Sequence, residues 1–203
     1  MTIRKADFEP HELLDHLKAV ISSRRFLRME SLNNEVPFFI CPYPIERQTE
    51  IREVYGLLLR QLKETGIRLL EISLYELSLE ILREREIFDQ VIEAEAEVSK
   101  AELKELLQGV LDPQEHLVPA IKERITEASP EVMLISGVGE VYPFIRSHNV
   151  LNNLQSVAKD FPTVMFFPGR YTHELASGAS LDLFGRLHDD KYYRAFNILH
   201  VEA

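Results

Sequence analysis

Cysteine is nearly absent from this sequence. Cys41 is the only one in 203 residues, which excludes an intrachain disulfide and any zinc site built on several thiolates. A reducing cytoplasm is the expected compartment. Long apolar runs are missing too, and none approaches the ~20 residues that a membrane-spanning helix requires. Residues 1–8 carry Arg4, Lys5 and Asp7 with no apolar stretch behind them, so no secretory leader is expected. Positive charge is in short supply: 23 Lys and Arg face 33 Asp and Glu, a formal net charge of −10. Phosphate contacts need a basic face, so direct nucleic-acid binding by the chain alone is not expected. Internal repeats and low-complexity linkers are also lacking, which argues for one domain over residues 1–203.

What is present is globular composition, 45% hydrophobic and 28% charged. A chain of this size loses roughly 70% of its unfolded surface on folding, enough for a core without staples. Acidity is concentrated between Glu76 and Glu105, whereas the last third is close to neutral and holds four histidines. The acidic middle reads first as a solvated helical face, with a patch for a basic partner as the alternative.

Hydrophobic spacing gives the elements. Leu13, Leu14, Leu17, Val20 and Ile21 mark a helix from about Pro10 to Glu30, and Val36 to Cys41 reads as a buried strand ended by Pro42 and Pro44. Ile51, Val54, Tyr55, Leu58 and Leu62 mark a second helix, followed after Gly66 by a strand over Ile67 to Ile72. Residues 74–128 read as helical throughout, divided by capping boxes at Ser99 with Glu102 and at Asp112-Pro113-Gln114-Glu115. Val132 to Ile135 is a third strand, Ser147 caps a helix carrying Val150, Leu151, Leu154 and Val157, and Thr163 to Phe167 is a fourth strand closed by Pro168-Gly169. Arg170 to Lys191 reads as a long loop, and Phe196 to Val201 as a fifth strand. Continuous apolar strands alternating with helices predict an α/β fold: a mostly parallel five-stranded sheet, helices on both faces, and a helical insertion (about 74–128) before the third strand. In such a sheet Cys41, Tyr43, the segment Gly137 to Glu140, Pro168 and Gly169 fall along the carboxyl edge, where ligands bind.

The chemistry-bearing patterns at that edge are incomplete. Gly137-x-Gly139 after a strand suggests phosphate binding, but Tyr142 and Pro143 stand where a dinucleotide fingerprint continues with glycine, so a tight structural turn is the plainer reading. No glycine is followed by Lys, so a phosphate-cradling P-loop is excluded. Glu140 could hold Mg²⁺ but has no acidic partner in its motif. Three adjacent residues, His188-Asp189-Asp190, cannot converge on one ion, and His173-Glu174 lacks the second histidine of a zinc hydrolase. Cys41 with His148 or His173 as base has no local signature, and Ser136 lacks the preceding glycine of a nucleophile elbow. No catalytic residue, metal or cofactor is therefore expected. Arg146, His148, Asn149, Asn152 and Asn153 near a helix start serve either anion binding or capping, the latter favoured. Arg186, Tyr192, Tyr193 and Arg194 combine rings with guanidinium groups, which suits either a partner surface or a locked loop.

Several stretches, in order and nearly spanning the chain, resemble the BrxB family, the small component of bacterial BREX anti-phage defence systems. They are Pro37-Phe38-Phe39-Ile40-Cys41-Pro42-Tyr43; Ile135 through His148, reading ISGVGEVYPFIRSH; Phe166-Phe167-Pro168-Gly169; Leu181 through Leu187, reading LDLFGRL; and Tyr192-Tyr193-Arg194-Ala195-Phe196-Asn197. The resemblance implies a phage-restriction protein acting with a methyltransferase, a large ATPase and, as the partner it most suggests, a PglZ-like protein. It transfers no catalytic residue. The order of elements also resembles a P-loop ATPase core that has lost its nucleotide site. The leading expectation is a non-catalytic accessory protein that binds a PglZ-like partner through Arg146, His148, Arg186, Tyr192 and Arg194. The alternative is a cryptic nucleotide- or nucleic-acid-acting enzyme using Glu140 and residues of the 170–191 loop.

Overall fold

The computed structural model describes residues 8–30, 37–174, 178–187 and 195–203. Its centre is a six-stranded sheet made of β1 (Phe38–Tyr43), β2 (Leu69–Ser73), β3 (Val132–Ser136), β4 (Thr163–Glu174), β5 (Gly178–Leu183) and β6 (Phe196–Asn197). The order is β2-β3-β4-β1-β6, all parallel, with β5 pairing antiparallel to β4.

Parallel strands are buried on both faces, and the alternation of side chains sends each strand's residues into two separate cores. On one face lie Phe39, Cys41, Val132, Leu134, Val164 and Phe166. They are covered by α1 (Pro10–Ser22), the single turn α2 (Arg24–Leu27) and α3 (Gln48–Glu64). On the other lie Phe38, Ile40, Met133, Ile135, Met165 and Phe167, all essentially solvent-free. They meet α4 (Leu74–Glu84), α6 (Lys100–Val110), α7 (Val118–Ala128) and α8 (Ser147–Leu154).

Between β2 and β3 run α4, α5 (Phe88–Glu97), α6, a π-helical turn (Pro113–Leu117) and α7. Their starts follow the sequence signals. The Ser99 hydroxyl accepts from the Glu102 amide at 3.3 Å while Glu102 accepts from the Ser99 amide at 2.9 Å. The Asp112 carboxylate accepts from the amides of Gln114 and Glu115 at 2.9 and 3.0 Å. Pro113 sits at the first position, where its missing N–H costs nothing. Helix α5 is different in kind, because none of its residues is buried.

Strand β2 is shifted by two residues at its start, and α8 begins at Ser147 with Arg146 in the cap position and ends at Leu154, short of Val157. Four further boundaries differ from the sequence expectation. The first helix breaks at Ser23, whose hydroxyl caps α2 by accepting from the Phe26 amide. Strand β1 runs on through Pro42, paired with Phe167, to Tyr43, paired with Pro168. That is tolerated because β6 pairs only with Phe39 and Ile40, leaving Pro42 with a strand neighbour on one side only. Val36 lies outside the described residues. The terminal strand is two residues long, and Asn197 caps a 3₁₀ turn (Ile198–His200) by accepting from the Leu199 amide at 3.0 Å.

The fourth difference is the largest, and it makes the sheet six-stranded rather than the expected five-stranded. Instead of a loop after Pro168-Gly169, β4 continues to Glu174, and β5 folds back on it from Gly169↔Leu183 to Glu174↔Gly178. Tyr171, Leu181 and Leu183 alternate with Arg170, Thr172, Ser180 and Asp182, which is the two-residue period of a half-buried strand pair. Tyr171 and its cross-strand partner Leu181 are both buried, and the Tyr171 hydroxyl donates to the Ala195 carbonyl. Gly169 makes the fold-back possible: a Cβ there would stand 2.1 Å from the Asp182 carbonyl oxygen.

Candidate functional site

At the carboxyl edge, the segments following β1 and β3 and the turn after β5 surround an open cleft of about 710 Å³, within the range of roughly 300–1,000 Å³ typical of ligand pockets. Tyr43, Gln48 and Arg52 line it from β1 and α3, Gly137 to Glu140 from the β3 loop, and Phe184, Arg186 and Leu187 from the β5 turn.

The two glycines of the β3 loop are accounted for by packing. Gly137 has φ +76°, and a Cβ there would lie 3.0 Å from the Tyr75 amide nitrogen, so the loop lies directly on the start of α4. A Cβ at Gly139 would lie 2.9 Å from Pro168 Cγ and 3.0 Å from Phe184 Cε1, which brings the β4 end and the β5 turn against the same loop. The loop closes on itself through the amides of Glu140 and Val141, both donating to the Gly137 carbonyl.

Two polar pairs cross the cleft lining. The Tyr43 hydroxyl donates to Gln48 Oε1 at 2.7 Å, and burial raises its phenol above the ordinary range, so it stays a donor at neutral pH. Arg52 donates to Glu140 Oε1 at 2.8 Å. Glu140 therefore faces a guanidinium rather than a second acid, and among the described residues there is no group of three or more His, Cys, Asp and Glu able to hold a metal ion. No helix among the described residues is long and apolar enough to cross a membrane.

The remaining candidates divide. Arg186 is exposed at the cleft, while Arg146 is exposed at the cap of α8 and does not line it. His148 is only 2% exposed, inside the core of α8, so it is not on a surface open to a partner. Asn153 donates to the Asn149 carbonyl at 2.8 Å, a bond within α8. Pro168 and Gly169 are buried inside β4 rather than at its end. Cys41 is a fully buried residue of β1, not part of an edge loop. His173 and Glu174 are on β4; His188, Asp189, Asp190, Tyr192, Tyr193 and Arg194 lie outside the described residues. Sequence reasoning missed Gln48, Arg52, Glu46 and Phe184. Gln48 and Arg52 are four residues apart at the start of the helix that follows β1, so one polar face aimed at the strand end was available as a signal.

Burial pushes the Cys41 thiol from 9.0 up to about 12. Only the thiolate is nucleophilic, so native protein at pH 8 is expected to leave Cys41 unmodified by an aromatic disulfide reagent and to react once unfolded in urea; prompt reaction of the native protein would contradict its burial. Because the folded-state value lies above the unfolded one, the associated stability is intact below about pH 9 and is lost as pH rises toward 12.

The BrxB family profile, described as "BREX protein BrxB", matches residues 70–198. A BREX protein BrxB of Bacillus cereus (strain H3081.97) is 33% identical over 193 residues, covering 93% of this chain and 97% of that one. One of Escherichia coli O9:H4 (strain HS) is 30% identical over 186 residues, covering 92% and 90%. No solved structure matches the chain. The strand-edge blocks, the family profile and full-length relatives from two bacteria agree: the chain belongs to the BrxB family of BREX proteins.

Proposed function

We propose that this protein is a non-catalytic component of a BREX-type anti-phage defence complex and works by binding a PglZ-like partner. The observation that carries the reading is the Arg52–Glu140 pair: the one acidic side chain of the β3 loop is engaged by a guanidinium at 2.8 Å, in a cleft whose other described lining is apolar side chains, a Tyr–Gln hydrogen bond and the two charged residues Glu46 and Arg186. Such a lining suits recognition. The strand order supports descent from a P-loop ATPase core, since the segments after β1 and β3 flank a single cleft. The segment after β1 reads Pro44-Ile45-Glu46-Arg47-Gln48, with neither the glycines nor the lysine that cradle phosphate.

Mixed with the other proteins of its system, the chain is expected to co-elute with the PglZ-like protein in gel filtration; elution alone in every combination overturns the reading. A Glu140→Ala variant separates recognition from chemistry. The exposed ion pair is worth only about 0–1 kcal/mol, so the variant folds, and phage defence is expected to persist. Loss of defence by a folded, complex-forming Glu140→Ala protein favours an enzyme acting through that carboxylate.

A further inference from the structure

We infer that the carboxyl-edge cleft receives an extended segment of a partner protein bearing one acidic and one basic side chain, the acid seated on Arg186 and the base on Glu46. The inference rests on the partner-binding reading and supplies its place and chemistry. Among the described residues four charged ones line the cleft: Glu46, Arg52, Glu140 and Arg186. Arg52 and Glu140 satisfy each other. Glu46 and Arg186 form no ion pair among the described residues, either with each other or with a third group, although both are exposed on the same cleft. They are carried by different elements, Glu46 by the 3₁₀ turn after β1 and Arg186 by the turn after β5. Two charges of opposite sign, without an ion-pair partner among the described residues, are thus displayed over one lining, with Ile45, Val138, Phe184 and Leu187 supplying the apolar surface. Leu187 is 40% exposed.

The balance of charge selects the occupant. Among the described lining residues the two arginines and two glutamates sum to zero, so a polyphosphate would meet two carboxylates there. A dipolar peptide meets Glu46 and Arg186 each with its opposite and lays its apolar side chains on the cleft walls, which is how complementary charge fixes register at an interface. The volume, about 710 Å³, suits a few side chains.

The test uses the full chain and the PglZ-like protein of its own system, with affinity measured by calorimetry. Arg186→Glu and Glu46→Lys are each expected to weaken the complex at least tenfold, while Glu123→Lys, an exposed charge change on α7 outside the cleft, leaves it unchanged. Both cleft side chains are exposed, so the variants keep the parent's thermal midpoint. Parent-like affinity in both variants overturns the cleft assignment while leaving partner binding standing. Failure of the parent to form any complex overturns both. Stabilisation of the lone protein by Mg–ATP, lost in Arg186→Glu, makes the cleft a nucleotide site and overturns the peptide assignment.

Discussion

A Gly169→Val variant is expected to lose at least ~3 kcal/mol of folding stability, because its side chain collides with main chain that has nowhere to go. The first added carbon would sit 2.1 Å from the Asp182 carbonyl oxygen and 2.8 Å from Phe167 Cε1. Asp182 is held in register with Arg170, and Gly169 itself is paired with Leu183, so relief means prising β5 from β4. A domain of ordinary stability has about 5–15 kcal/mol in total, and the loss shows in urea unfolding followed by far-ultraviolet circular dichroism. Gly56, in the middle of α3, is the internal control: a Cβ there meets nothing within 4 Å. Gly56→Ala is expected to stabilise by about 0.5–1 kcal/mol through helix propensity. Equal urea midpoints for the Gly169 variant and the parent would show that β5 is not packed against β4 as described.

Phe167→Ala is expected to cost about 3–5 kcal/mol, the range for removing a buried aromatic side chain. Phe167 is fully buried, pairs with Pro42 across the β1–β4 ladder and belongs to the core that meets α4 and α8. Phe184 offers the contrast, since it is only partly buried on the cleft wall and meets Tyr142 edge-on at 6.1 Å between ring centres. Phe184→Ala is expected to cost less than half as much. Unfolding midpoints of the two alanine variants decide the matter: the ranking fails if they fall equally.

The architecture was largely legible in the sequence because parallel strands leave a strong signature. Phe38 to Cys41, Val132 to Ile135 and Val164 to Phe167 are continuous apolar runs, and burial on two faces is the reason. Local caps were legible for a similar reason, since Ser99, Glu102 and Asp112 act on amides within three residues of themselves. What escaped was decided by partners distant in sequence. Pro42 is a strand breaker in isolation and a strand residue here because β6 stops short of it. Gly169 reads as a terminator until Asp182 is laid beside it. The β4–β5 hairpin hid behind polar residues, because one side of that pair faces away from the core.

The cleft was legible only in part. Tyr43, Gly137, Gly139 and Glu140 were visible as residues after strands, and Arg186 as a cation near the end of the sheet. Gln48 and Arg52 share a face at the start of α3 that their spacing made readable, whereas Glu46, on the 3₁₀ turn before it, carried no such signal. His148 illustrates the opposite error: a histidine near a helix N-terminus reads as accessible, yet the apolar face formed by Val150, Leu151 and Leu154 takes it into the core.

The placing of β1 in the interior of the sheet bears on how the chain is made. Its two ladder neighbours, β4 and β6, both come from the last quarter of the sequence, so at the ribosome the hydrophobic ribbon Phe38-Phe39-Ile40-Cys41 waits unpaired while almost everything else is translated. Topology of this kind folds slowly and leaves nascent intermediates open to aggregation.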